Sequence, residues 1–126
     1  MDLSKVDPVG LDALQPTAAQ PAPTPGCTLA SDDQLARAAE FDQLFAELAV
    51  RTERPAPTRL LVELRRDTAA ARRAAELAFA ETACCSFFTF RLTAAADRLL
   101  LEIAVPDAHL PALTALADRA GGQVPA

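Results

Sequence analysis

The sequence has no tryptophan, no tyrosine, a single histidine and only four glycines in 126 residues. It holds no glycine-rich loop of the kind that cradles phosphate, no Ser-His-Asp set and no histidine-rich metal motif. Cations are scarce too: 12 basic residues face 17 acidic ones, a net charge of −5. Such a surface attracts phosphate backbones weakly, so nucleic acid is not expected as a direct partner. No run approaches the roughly 18 consecutive apolar residues of a membrane span, and no membrane partner is expected. The start of the chain carries one early cation, Lys5, with no apolar stretch behind it, so a secretory signal is not expected either. These absences point to a cytoplasmic protein, whose thiols stay reduced. The length suits one domain and excludes a two-domain dehydrogenase, a kinase or a TIM barrel.

Hydrophobic residues make up 51% of the chain, but 29 of them are alanine. The core is therefore thin, built from leucine, alanine and some of the six phenylalanines. Residues 1–26 hold five of the ten prolines, and the run Gln20 to Gly26 is predicted to be extended and polyproline-like. That segment reads as a flexible, disordered tail, residues 27–122 as one α+β domain that bears the thiols, and residues 123–126 as a second short tail.

Ser31-Asp32-Asp33-Gln34 predicts a helix start, with Ser31 at the cap. Leu35, Ala38, Phe41, Phe45, Leu48 and Ala49 follow helical spacing, and the helix is expected to end near Thr52, before Pro55 and Pro57. Leu60, Val62 and Leu64 alternate as a strand over 59–65. Asp67 or Thr68 caps a second helix reaching Ala83 or Cys84. Strands follow over 87–92 and 98–105, and Asp107 starts a last helix that Gly121-Gly122 closes near Ala120. The order α-β-α-β-β-α predicts a small two-layer sandwich, with helices on one face of a three-stranded sheet. The middle strand-helix-strand unit is expected to give two parallel strands and the last two strands a hairpin. This is a partial ferredoxin-like fold, lacking its last strand. Cys27-Thr28-Leu29 is placed to add a short edge strand.

The three cysteines, Cys27, Cys84 and Cys85, are the most informative chemistry. An odd number, two of them adjacent, does not describe a disulfide framework. Glu81 lies three and four residues before the pair, so a carboxylate meets both thiols on the apolar face of the second helix. A carboxylate there needs a partner. Either it caps a backbone group or pairs with an arginine, or it accompanies the thiols, taking a proton or joining the coordination of a metal. Buried cysteine also serves as a small hydrophobe. Adjacent cysteines converge on one ligand only where a helix ends and the backbone turns, as it is expected to do before Phe87. Cys27, directly after Pro25-Gly26, completes a three-thiolate set. Three soft thiolates suit Hg(II), As(III), Cu(I) or Zn with an outside ligand. Structural zinc wants four ligands in paired spacing such as Cys-x-x-Cys, which is missing here. His109 reads as a first-turn surface residue rather than a fourth ligand. Phe87 is expected to cover the thiols and slow the access of water.

Cys27-Thr28-Leu29, Glu81-Thr82-Ala83-Cys84-Cys85-Ser86-Phe87-Phe88-Thr89-Phe90 and Leu99 to Pro106 together resemble a group of small proteins of high-GC bacteria. Similar domains occur alone or behind regulators of the mercury-responsive MerR class. The resemblance spans residues 27–118 and implies heavy-metal handling. The DNA-binding helix-turn-helix of those regulators has no counterpart in the 26 proline-rich residues before Cys27, so sensing or sequestration is expected rather than regulation through DNA.

Three functions compete. The first is a binding protein in which Cys27, Cys84 and Cys85 hold a soft ion, with Glu81 and Phe87 behind them. The second is a thiol redox enzyme with Cys84 or Cys85 as nucleophile, Glu81 as base and Cys27 as resolving partner. The third is a structural domain with buried thiols that associates, as a homodimer, through its alanine-rich helices.

Overall fold

The computed structural model describes residues 27–123. The elements run α1 (Ser31–Leu48), β1 (Ala49–Ala56), β2 (Arg59–Leu64), α2 (Thr68–Cys84), β3 (Thr89–Ala94), β4 (Leu99–Ala104), a 3₁₀ turn (Asp107–His109) and α3 (Leu110–Gln123). The fold is α+β: three helices and a four-stranded antiparallel sheet in the order β1-β2-β4-β3.

The expectation of three strands is corrected by β1. The first helix stops at Leu48 instead of Thr52, and the next eight residues pair with β2. Pro55 lies within this strand although proline cannot donate to a ladder. On an edge strand one row of N–H groups needs no partner, so Pro55 is tolerated there. The β1–β2 register shifts between Ala49 and Arg51 and again between Glu53 and Ala56, the second irregularity containing Pro55. The strand-helix-strand unit does give two parallel strands, and the last two strands form the expected hairpin. β2 and β3 both run antiparallel to β4, hence parallel to each other, but β4 lies between them. Cys27-Thr28-Leu29 forms no strand; Cys27 makes a single isolated bridge to Cys85.

The end signals hold unevenly. Asp67 caps α2 as its carboxylate accepts from Ala70 N–H at 2.7 Å. Ala30, not Ser31, is the N-cap of α1, and no side chain caps it. The amide of Gln34 instead reaches back to donate to the Leu29 carbonyl at 2.9 Å. Asp107 begins the 3₁₀ turn before α3, and α3 runs through Gly121-Gly122 to Gln123. A Cβ at either glycine would meet open space, so nothing there requires glycine.

Alternation along β2 and β4 separates the faces. Leu60, Val62 and Leu64 on β2, and Leu99, Leu101 and Ile103 on β4, are buried. They pack with Phe41, Leu44, Phe45 and Leu48 of α1, Ala70 and Ala74 of α2, and Leu113, Leu116 and Ala120 of α3. The small alanines let α2 lie close to the sheet. The opposite face carries charge pairs, Arg51 with Glu63 and Glu102 between Arg59 and Arg91. Hydrogen bonding and Coulomb attraction from Arg59 hold the Glu102 carboxyl below its ordinary pKa, against the opposing effect of burial, and Arg91 adds to the same shift.

Candidate functional site

α2 delivers the thiols to the point where its helix ends. Cys84 is the last helical residue, and Cys85 is already extended while its N–H still donates to the Glu81 carbonyl at 2.7 Å. The turn of the backbone separates the two side chains. Cys85 is buried in the core, whereas Cys84 is half-buried and carries a free thiol.

Cys27 meets this junction from the other end of the domain. Its backbone bridges that of Cys85 with Cα atoms 3.9 Å apart, and the two sulfurs form a disulfide. Thr28 secures the approach: its N–H donates to the Cys84 carbonyl at 2.7 Å, and its hydroxyl donates to the same oxygen at 3.2 Å. Cys27 and Cys85 are thus joined to each other, and Cys84 is the neighbour of Cys85 in the chain. In this bridged state a set of three thiolates does not exist. Among the described residues, no group of three or more His, Cys, Asp or Glu side chains stands together in a way that would hold a metal ion.

Glu81 is buried, and its partner is Arg37 of α1, whose Nη1 donates to the carboxylate at 2.7 Å. The other side of the guanidinium donates to Glu40 at 3.0 Å. Burial works against the charge on Arg37, but Glu81, Glu40 and Cys84 together outweigh it and raise its pKa. Glu81 is therefore an anchor that ties the end of α2 to α1 through Arg37. Arg37 was not legible as a site residue, because 44 positions separate it from Glu81. One signal did exist: a carboxylate on an apolar stripe demands a cation, and Arg37 stands one turn before Phe41 on the inner side of α1.

Phe87 is buried and stacks on the His109 ring, with centroids 4.3 Å apart and planes 5° apart. It also touches Phe88 at 4.6 Å. His109 is thus a half-buried partner of an aromatic ring rather than a surface residue. Contacts continue from Phe88 to Phe90, then to Phe41 and on to Phe45, so five of the six phenylalanines form one row. Beside this row lies a cleft of about 200 Å³, with Cys27, Cys85, Phe41, Phe87 and Phe88 in its wall.

No family model matches the chain, and neither a curated protein nor a solved structure shows significant similarity to it.

Proposed function

We propose that this protein captures soft metal or metalloid ions of the Hg(II) or As(III) kind through the thiols of Cys27, Cys84 and Cys85, and that reduction of the Cys27–Cys85 bridge opens the site. The observation behind this is the meeting of Cys27 with Cys85, 58 positions away, directly beside a third cysteine. Opening takes two electrons and two protons from a reducing dithiol, which leaves as its own disulfide. Hg(II) then binds two thiolates with release of two protons. Arsenous acid binds three thiols with release of three waters. Cu(I) shares the preference for thiolate, while zinc is less suited because its structural sites want four ligands. Glu81, held by Arg37, fixes the end of α2, and Phe87 supplies a dry wall that slows water and competing thiols. The resemblance to domains found behind MerR-class regulators points to resistance or sensing. The strand order fits a ferredoxin-like arrangement in which β1 fills the edge left by the missing last strand.

The bridge itself favours a second reading, thiol–disulfide exchange with Cys85 as nucleophile and Cys27 as resolving partner. Glu81 is a poor base for it, since its carboxylate is engaged by Arg37.

The test is an anaerobic titration of the reduced protein with Hg(II) and then arsenite, in excess competing thiol, following sulfur-to-metal absorbance and free thiols. One arsenic bound with loss of three thiols, and weakened binding in each of Cys27→Ser, Cys84→Ser and Cys85→Ser, is the expected result. Failure to bind either ion above the competitor, with turnover of a disulfide substrate, would replace metal capture by exchange chemistry.

A further inference from the structure

The bridge opens onto a cleft with a definite chemical character. Leu29, Phe41, Phe87, Phe88, Ala112 and Leu116 supply its apolar surface, and Cys27 and Cys85 are part of the same wall. The charged residues that reach it are already paired. Arg37 is engaged by Glu81 and Glu40, and Arg119 donates twice to Asp42, at 3.0 and 2.8 Å. A ligand of the cleft therefore meets no uncompensated charge, and an anion has little to gain there. Size narrows the choice further. A closed apolar cavity of about 150 Å³ holds one benzene ring. At about 200 Å³ this cleft takes one aryl group or a short branched chain.

We infer that the cleft receives the organic substituent of a monosubstituted arsenic(III) compound, an aryl-As(OH)₂, whose arsenic is held by Cys27 and Cys85. This rests on the proposal that the reduced cysteines capture soft ions, and it names the class of ligand. The stoichiometry fits the pair. Inorganic arsenic(III) needs three thiols to replace three hydroxyls, whereas R–As(OH)₂ needs two. Two thiols give up two protons, two As–S bonds form, two As–O bonds break and two waters leave. Arsenic stays trivalent and no electrons move. The As–C bond is untouched, and the group it carries stays beside the two sulfurs, where the phenylalanine-lined surface begins. Cys84, outside the cleft wall, is not required.

The experiment uses the full chain, reduced with a phosphine that is then removed under anaerobic conditions. Affinities for phenylarsonous and methylarsonous acid are measured in competition with a simple dithiol, so that the intrinsic thiol affinity of each probe cancels. Burial of a ring predicts a phenyl preference on the order of ten- to a hundredfold. Ala112→Phe or, independently, Ala38→Phe fills the cleft and should abolish that preference while Hg(II) is still captured and the far-ultraviolet circular dichroism stays that of the parent, which shows that the variant has folded. Cys84→Ser should leave phenylarsonous acid binding intact. Equal affinity for the two probes, with Hg(II) still bound, overturns the cleft assignment and spares the soft-ion proposal. Binding of none of the three overturns both.

Discussion

Arg37 of α1 and Glu81 of α2 meet at 2.7 Å, and this pair, largely withdrawn from water, stands in the wall of the cleft that holds Cys27 and Cys85. Glu81 keeps 8% of its side-chain surface exposed and Arg37 16%, so neither charge is well solvated once the other is removed. Arg37→Ala is expected to cost about 3 kcal/mol, mostly through the orphaned carboxylate. Glu81→Gln retains an oxygen acceptor and should cost roughly 1 kcal/mol. Urea unfolding of both variants at neutral pH checks the ranking; equal losses would mean that the pair is solvated.

The Cys27–Cys85 bridge closes a loop that contains most of the domain. For a separation of 58 positions, chain entropy puts its contribution at about 4 kcal/mol. Reductant should lower the urea midpoint of the parent protein and leave that of Cys27→Ser unchanged. Unfolded without reductant, the parent should show one reactive thiol, Cys84. Three thiols under those conditions would mean that the bridge does not form.

Two phenylalanines separate core from surface. Phe45 is fully buried and touches Phe41, while Phe79 is 79% exposed. Phe45→Ala should cost about 4 kcal/mol, a large share of the stability of a small domain. Phe79→Ser should stay within about 0.5 kcal/mol. Thermal and urea unfolding of the two variants decide the matter; similar losses would contradict the packing.

Glu102 makes stability depend on acid. Its folded pKa lies below the ordinary value of 4.5 because Arg59 hydrogen-bonds the ionised carboxylate. Its stabilising contribution is therefore complete above that ordinary value, and is lost as pH falls through the depressed folded one. Glu102→Gln lacks this contribution. The Tm gap between parent and variant should be widest near neutrality and should close as the solution becomes strongly acidic. A gap independent of pH would place the effect in packing instead of charge.

The sequence makes some parts of this molecule easier to read than others. Alternation marks β2 and β4, because each buries one face, and Asp67 marks the start of α2. β1 escapes notice because edge strands need neither inward apolar alternation nor a complete set of donors; Val50 and Pro55 there look like a helix end and a loop. The sheet order follows from pairings between distant residues, which no local pattern encodes. At the site, the helical spacing of Glu81 and Cys84, the end of the helix between the adjacent cysteines and the coming of Cys27 to the same place were all legible. The choice of Cys85 as the partner of Cys27, and of Arg37 as the partner of Glu81, depends on how α1 and the first described residues pack on α2. Leu35 shows the converse: it fits the helical stripe of α1 but is 70% exposed.

The row from Phe45 to Phe87 has a practical consequence. With no tryptophan or tyrosine in the chain, near-ultraviolet optical activity can come only from phenylalanine rings, the one histidine and the sulfur bridge. All but one of those rings stand in contact between the core and the cleft wall. The protein therefore carries a built-in optical reporter, in which ordering of the core, closure of the bridge and occupation of the cleft register without a label and against an almost silent background.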